Sequence, residues 1–189
     1  TVIDALLEAA SWDTEFEDPT VQEAANSAKR LVVVTTHRRE NLETMKEIGG
    51  AVKDLAEGYP DINFVLPLHL NPKVREAVLP EVESLPNVII TDPLPYDQFT
   101  KLLDLATIIL TDSGGVQEEA PALGKPVLVM RQNTERPEAV VAGTVKLVGT
   151  NRSLIVAEAK LLLDDEAAYE AMANAVNPYG DGKAAERAV

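Results

Sequence analysis

The sequence contains no cysteine and only two histidines among its 189 residues. The absence of cysteine excludes a disulfide framework and thiolate metal sites, and two histidines provide too few ligands for most zinc sites. No apolar run approaches the roughly 18 residues needed to cross a bilayer. The acidic start, with Asp4, Glu8 and Asp13, also lacks the basic region of a signal peptide. We therefore expect a cytoplasmic protein without a membrane span.

Positive charge is scarce as well. The 17 lysines and arginines are outnumbered by 31 acidic residues, which gives a formal net charge of −14. Proteins that bind the phosphate backbone of nucleic acids normally carry a basic surface, so this balance argues against a nucleic-acid partner. The apolar fraction of 46% and the charged fraction of 25% are typical of globular proteins, and the length suits one domain.

From Leu31 onward, short runs rich in Val, Ile and Leu alternate with longer segments of helical period. This alternation is typical of a parallel sheet covered by helices on both faces. It predicts an α/β fold with a Rossmann-like, doubly wound sheet of six parallel strands. The predicted strands are Leu31–Thr36, Ile62–Pro67, Val88–Thr91, Thr107–Thr111, Pro126–Met130 and Val145–Val148.

Several segments carry helix start signals. Asn41 precedes an amphipathic segment that ends near Gly58, and Asn71-Pro72 is typical of an N-cap followed by proline in the first turn. Pro137 opens another helix in the same way. From Asn151 to about Ala175 the pattern is helical, with a predicted break at Asp164-Asp165.

In sheets of this type, ligands bind outside the carboxyl ends of the strands. Cationic and imidazole side chains concentrate at this edge of the predicted sheet. They are His37, Arg38, Arg39, His69, Arg131 and Arg136. In a chain of net charge −14, this concentration implies an anionic ligand, most simply a phosphate or pyrophosphate.

The turn Asp112-Ser113-Gly114-Gly115 is the best local candidate for binding that phosphate. Two glycines allow close approach of the backbone and tolerate positive φ, and the helix that follows offers unpaired N–H groups. Glu118 and Glu119 lie about one turn into this helix, where carboxylates can accept hydrogen bonds from sugar hydroxyls. The alternative is an ordinary strand-to-helix turn in which both glutamates complement the helix dipole. The absence of G-x-G-x-x-G argues against a dinucleotide-type turn.

The other candidates at this edge each allow two interpretations. His37 is a proton or hydrogen-bond donor beside phosphate-binding arginines, or it begins a solvated helix whose arginines pair with acids. His69 contacts a ligand or belongs to a capped turn. Phe99 stacks on a planar base or lies in the core. The polar segment 131–136 is a mobile ligand loop or a surface connection.

Five motifs closely resemble those of the non-hydrolysing UDP-N-acetylglucosamine 2-epimerases. They are Thr35–Asn41, His69–Pro72, Thr111–Pro121, Thr134–Glu138 and Asn177–Gly182, in the expected order and spacing over nearly the whole chain. The resemblance implies one half of the two-domain GT-B architecture, with a missing amino-terminal Rossmann-like domain as its partner. It divides the chain into a helical lead-in from the interdomain crossover (1–30), a nucleotide-sugar-binding domain (31–175) and the start of a truncated carboxyl-terminal helix (176–189).

The resemblance also implies how the nucleotide sugar is bound. It assigns Ser113, Gly114 and Gly115 to the diphosphate. It assigns Glu119 to the ribose hydroxyls and Arg136 to a substrate phosphate or the sugar. No metal and no redox cofactor are implied.

Further roles follow from the same resemblance. The backbone at Leu94 and the ring of Phe99 are assigned to the uracil. His37 corresponds to an active-site histidine that assists departure of UDP, which makes it the catalytic candidate of this chain. Arg38 and His69 match positions that bind a second, activating UDP-N-acetylglucosamine in bacterial members.

The implied reaction interconverts UDP-N-acetylglucosamine and UDP-N-acetylmannosamine by eliminating and re-adding UDP. The family's catalytic Asp and Glu residues lie in the other domain, so we expect this chain to bind UDP or a UDP-sugar without turning it over. The resemblance also implies a homodimeric, cytoplasmic enzyme of cell-envelope polysaccharide biosynthesis. The alternatives are a hydrolysing epimerase, a UDP-dependent GT-B glycosyltransferase and a stand-alone nucleotide-sugar-binding module.

Overall fold

The computed structural model describes residues 2–188, apart from the side-chain surroundings of Ala185. Thr1 of the predicted lead-in and Val189 of the predicted final helix lie outside the described residues. Within 2–188, no helix combines the length and apolar character that a membrane crossing requires.

All six predicted strands are confirmed, each within one or two residues of its predicted ends. The strands are β1 Leu31–Thr35, β2 Asn63–Pro67, β3 Val88–Thr91, β4 Ile108–Thr111, β5 Val127–Val129 and β6 Val145–Leu147. The helices before β4 are α1 Val2–Ser11, α2 Pro19–Asn26, α3 Met45–Gly58, α4 Pro72–Val82 and α5 Tyr96–Leu105. Those after it are α6 Gly114–Ala122, α7 Pro137–Ala142, α8 Arg152–Asp164, α9 Glu166–Ala173 and α10 Ala184–Arg187.

The strands form one parallel sheet in the order β3-β2-β1-β4-β5-β6. This is the strand order of the doubly wound Rossmann sheet, so the predicted fold class is confirmed. The order reverses between β1 and β4, where Thr35 lies opposite Thr111. The crevice outside the carboxyl ends of these two strands is therefore the topological switch point, where such sheets bind their ligands.

Each face of the sheet has its own hydrophobic core, as expected for strands that are buried on both sides. Val32 and Val34 of β1 point into a core formed with α3, α4 and α8, which also contains Phe64 of β2. Leu31 and Val33 point into the opposite core, which contains side chains of α2, α5 and α6. The sheet is thus packed between two separate cores, one on each face.

Most predicted helix starts are confirmed. Asn71 caps α4 by accepting a hydrogen bond from the Lys73 N–H, and α7 begins at Pro137. The predicted break at Asp164-Asp165 separates α8 from α9. The predicted start at Asn41 is wrong, because α3 begins only at Met45. The Asn41 side chain does not cap a helix; it is buried and bonded to groups near the switch point.

Candidate functional site

The switch point opens into a cavity of about 250 Å³. Side chains from the ends of β1, β2, β3 and β4 line it, since the carboxyl ends of parallel strands meet at one edge. They are Thr35, Thr36, His37, Pro67, His69, Pro93, Leu94, Phe99, Ser113 and Val116. The structure thus brings together five of the site residues predicted from the sequence: His37, His69, Leu94, Phe99 and Ser113.

The carboxylate of Asp112 joins the ends of β1 and β4 beneath this cavity, and it is fully buried. Its Oδ2 atom accepts four hydrogen bonds: from the Thr36 hydroxyl at 2.9 Å, the N–H groups of His37 and Arg38 at 3.0 and 3.1 Å, and the Asn41 amide at 3.3 Å. Sequence reasoning treated Asp112 only as part of a turn. Its signal was the placement of an acidic residue directly after a buried strand.

The rings of His37 and His69 stack beside the cavity, with centroids 5.8 Å apart and planes inclined by 17°. His37 Nδ1 lies 3.4 Å from Asp112 Oδ1. His69 Nδ1 accepts a hydrogen bond from the Asn71 N–H at 3.1 Å. The capped-turn interpretation of His69 is therefore confirmed. Its ring also lines the cavity, and its contact with a ligand stays a prediction.

The amino terminus of α6 reaches the same place. Ser113 caps the helix, its hydroxyl accepting a hydrogen bond from the Val116 N–H at 3.4 Å. The N–H groups of Gly114 and Gly115, in the first turn, have no carbonyl partner within the helix. Neither glycine has positive φ, so that part of the argument for them is wrong.

The space beside Gly114 shows why a side chain there would hinder the approach of a ligand to the backbone. A Cβ atom on Gly114 would lie 3.5 Å from Arg38 Nη2, 3.6 Å from Glu135 Oε1 and 3.8 Å from Arg136 Nη2. Two guanidinium groups and the unpaired N–H groups of the helix therefore border one small volume. This arrangement can bind an anion directly on the helix terminus.

Three arginines at this edge are paired with glutamates. Arg38 donates to Glu135 at 3.0 Å, and the same carboxylate also binds Arg131. Arg131 contacts Glu40 at 2.9 Å as well. The alternative interpretation of the His37 segment, in which its arginines pair with acids, is thus confirmed for Arg38. The edge is an ion-pair network and not a purely cationic rim.

Glu135 is the centre of that network. Its own backbone N–H, together with the Arg131 and Arg38 guanidinium groups, lowers the pKa of Glu135 to about 2. Its carboxylate consequently stays ionised throughout the neutral range. Arg136 pairs with Glu118 in the same way. An incoming phosphate therefore has to compete with carboxylates that already hold these arginines.

The segment 131–136 is anchored to α6 and is more than a simple surface connection. Gln117 is fully buried and its Oε1 accepts a hydrogen bond from the Thr134 hydroxyl at 2.5 Å. The Thr134 oxygen in turn accepts from the Arg136 N–H at 3.0 Å. Gln117 and Thr134 thus position Arg136 beside the helix terminus, a role that sequence reasoning missed because an interior glutamine gives no signal.

Glu119 and Phe99 complete the site. Glu119 Oε1 lies 3.7 Å from the position of a Cβ atom on Gly115, and burial, followed by the Glu118 charge, raises the pKa of its carboxyl. Phe99 is half-buried, lines the cavity and packs at the edge of the core. Its core interpretation therefore holds in part, and its stacking on a base stays a prediction. Among the described residues, no group of three His, Asp or Glu side chains is arranged to hold a metal ion.

Fold and site together define a Rossmann-like domain with a helix N-terminus and arginines at its switch point, which is typical of nucleotide-binding α/β proteins. A family model described as UDP-N-acetylglucosamine 2-epimerase matches residues 1–189. The chain is 51% identical to the UDP-N-acetylglucosamine 2-epimerase of Escherichia coli K12, over 99% of this chain and 51% of that protein. It belongs to the UDP-N-acetylglucosamine 2-epimerase family.

Solved structures agree with this family. The UDP-N-acetylglucosamine 2-epimerase of Neisseria meningitidis, bound to UDP-GlcNAc, superimposes with a TM-score of 0.87 at 44% identity, covering 100% of this chain and 52% of that one. MnaA of S. aureus with UDP gives a TM-score of 0.89 at 42% identity, covering 99% and 50%. The chain spans about half the length of these relatives and corresponds to one Rossmann-like half of the GT-B architecture.

Proposed function

We propose that this chain is the UDP-binding half of an enzyme that interconverts UDP-N-acetylglucosamine and UDP-N-acetylmannosamine. The observation that carries the proposal is the convergence of His37, Phe99 and the α6 terminus on one cavity at the switch point. Membership of the family supports it, as do the two relatives solved with UDP-GlcNAc and UDP.

The proposed binding mode uses the polar part of the site for the diphosphate. The N–H groups of Gly114 and Gly115 and the Ser113 turn hold its oxygens, and Arg136 approaches from the anchored segment. Glu119 accepts hydrogen bonds from the ribose hydroxyls. These roles use the volume beside Gly114 and the carboxylate beside Gly115.

The apolar part of the cavity is proposed to hold the uracil, which stacks on Phe99 next to the backbone of Leu94. His37 is the proposed catalytic residue on this side, because it lines the same cavity as Ser113 at the helix terminus. Arg38 and His69 are proposed to contact a second, activating nucleotide sugar. His69 is suitably placed since its ring stacks on that of His37.

The proposed reaction begins when a base removes the proton at C2 of the sugar while the bond from C1 to the diphosphate oxygen breaks. The electron pair of that bond leaves with UDP, so negative charge develops on the diphosphate. A helix N-terminus, an arginine and a histidine are suited to stabilise this charge. Re-addition of UDP and return of a proton to the opposite face of C2 give the epimer. The base is proposed to be a carboxylate of the other half of the enzyme.

The chain alone is therefore expected to bind UDP but to show no conversion when it is incubated with UDP-N-acetylglucosamine. The full-length protein is expected to form UDP-N-acetylmannosamine. Release of free N-acetylmannosamine would instead indicate a hydrolysing epimerase, and transfer of the sugar to an acceptor would indicate a glycosyltransferase. Measurable epimerisation by the chain alone would contradict the proposal that the catalytic base belongs to the other half of the enzyme.

We further propose a homodimeric, cytoplasmic enzyme whose product supplies cell-envelope polysaccharide synthesis, as the family membership supports.

Glu119→Gln is expected to weaken UDP binding about tenfold, since a hydrogen bond to a charged group contributes roughly 1.5–3 kcal/mol.

The same substitution is expected to increase the stability of the fold at neutral pH. The raised pKa of Glu119 means that the ionised carboxylate opposes folding at neutral pH. This destabilisation by Glu119 is absent below the pKa of a glutamate in the unfolded chain. It grows as the pH rises through the pKa of Glu119 in the folded chain. The free energy of unfolding of the variant, relative to the original chain, should therefore increase from acid to neutral pH.

Urea denaturation at several pH values, with UDP calorimetry, measures both effects. Glu170→Gln is the matched control, since Glu170 is exposed on α9. It should change neither quantity. Equal UDP affinity of the Glu119 variant and the original chain would remove Glu119 from the binding site.

A further inference from the structure

The two oxygens of the buried Asp112 carboxylate have different surroundings. Oδ2 is saturated by its four donors, from Thr36, His37, Arg38 and Asn41. Within the described part of the chain, Oδ1 accepts only the more distant arm of the His37 N–H bond, at 3.2 Å, and it faces His37 Nδ1 at 3.4 Å. Oδ2 thus binds the segment that follows β1, and Oδ1 can still accept a hydrogen bond from the His37 imidazole.

The neighbouring ring of His69 has a hydrogen-bond donor, and not an acceptor, beside its Nδ1 atom. His69 Nδ1 is the acceptor of the Asn71 N–H bond at 3.1 Å, so this nitrogen carries a lone pair and the proton of the neutral ring is on Nε2. The two stacked rings therefore have different partners at the same atom: His37 Nδ1 faces a carboxylate, and His69 Nδ1 faces an N–H donor.

We infer that Asp112 is a positioning residue that fixes the tautomer of His37. The carboxylate keeps the proton of the neutral ring on Nδ1, so that Nε2, on the opposite edge of the ring, presents its lone pair toward the cavity. His69 is held in the other tautomer and presents an Nε2–H donor to the same cavity. The site then contains one imidazole that accepts a proton at Nε2 and one that only donates a hydrogen bond there.

The consequence for catalysis rests on the proposed function. A protonated His37 that gives its Nε2 proton to the departing diphosphate is left neutral, with its remaining proton already facing Asp112. No rearrangement of the ring is then required, and the same nitrogen takes the proton back when UDP is re-added. A carboxylate that orients a histidine in this way needs to touch only the histidine and not the substrate.

The test uses the chain without any ligand. Long-range ¹H–¹⁵N spectra at about pH 8, where imidazoles are mostly neutral, distinguish Nδ1–H from Nε2–H rings. Because the chain has only two histidines, His69→Gln assigns both signals. We expect His37 as the Nδ1–H tautomer and His69 as the Nε2–H tautomer. Finding His37 as Nε2–H would overturn the inference.

Asp112→Asn supplies the decisive comparison. The amide oxygen retains the donors at Oδ2, and its NH₂ group then faces His37 Nδ1, so His37 should change from predominantly Nδ1–H to predominantly Nε2–H while His69 stays unchanged. Thr36→Val, which removes one donor from Oδ2 only, should leave both tautomers as they are. An unchanged His37 in Asp112→Asn contradicts the inference. If that variant fails to fold, the tautomer in the original chain decides alone.

These spectra separate the inference from the proposed function. A chain with the expected tautomers that binds no UDP would refute the function and leave the positioning role intact. A chain that binds UDP with His37 as Nε2–H would refute only the positioning role. In the full-length enzyme, Asp112→Asn should lower kcat at least tenfold with little change in KM, whereas general loosening of the site would raise KM as well.

Discussion

Gly114→Ala is expected to weaken UDP binding by between about tenfold and a hundredfold while slightly stabilising the fold. The added methyl group makes ordinary contacts of 3.5 to 3.8 Å with Arg38, Glu135 and Arg136, so the fold accepts it. It occupies the volume where we propose that a phosphate reaches the helix N–H groups, and each lost hydrogen bond to a charged group costs roughly 1.5–3 kcal/mol. Within a helix, alanine is more stable than glycine by roughly 0.5–1 kcal/mol.

Calorimetry with UDP and urea denaturation measure the two effects on the same protein. Gly58→Ala is the matched control, because Gly58 lies at the end of α3 and a Cβ atom there has nothing within 4 Å. It should leave UDP binding unchanged. Full UDP affinity in Gly114→Ala would place the phosphate elsewhere and overturn the assignment of the α6 terminus.

Phe64→Ala is expected to reduce mainly the stability of the fold, and Phe99→Ala is expected to reduce mainly the affinity for UDP. Phe64 is fully buried in the middle of β2, so its truncation should cost about 3–5 kcal/mol of unfolding free energy. UDP affinity of the folded fraction should not change. Phe99 is half-buried at the cavity, so its truncation should cost about 1 kcal/mol of stability. It should reduce UDP affinity about tenfold, since stacking of a base on an aromatic ring contributes roughly 1–3 kcal/mol.

The pair decides between the two interpretations of Phe99. Both variants lose the same ring, which is fully buried at Phe64 and half-buried at Phe99. Urea denaturation measures the stability of each variant, and UDP calorimetry is carried out at low temperature, where the Phe64 variant stays folded enough to measure. Unchanged UDP affinity in Phe99→Ala would make Phe99 a core residue only. A loss of stability as large as that of Phe64→Ala, without a loss of UDP affinity, would show the same.

The sheet was predictable from the sequence because its four inner strands, β1, β2, β4 and β5, are buried on both faces. The runs 31–34 and 108–110 are continuously apolar, which a half-exposed strand would not be. The start of α3 was not predictable in the same way. Asn41 has the right type for an N-cap, but Asp112 and the Met130 carbonyl, distant in sequence, bind its amide. Long-range hydrogen bonds of this kind leave no periodic signal.

The candidate site was likewise predictable from the sequence only in part. The predicted gathering of histidines and arginines at one edge follows from strand direction alone, and the structure confirms it for His37, His69 and Arg38. The ion pairs do not follow from it, because Glu135 meets Arg38 across 97 positions of sequence. The position of Asp112 directly after a buried strand was visible in the sequence, but its hydrogen-bond partners were not, since they follow the neighbouring strand β1.

The central claim is that UDP binds at the α6 terminus and the adjoining cavity. Titration of the ¹⁵N-labelled chain with UDP, followed through its amide signals, tests it most directly. We expect saturable shifts at Ser113–Glu119, with smaller shifts at His37 and Phe99, and none on the opposite edge of the sheet. No response at Ser113–Glu119 at saturating UDP, or shifts confined to other elements, would contradict the account.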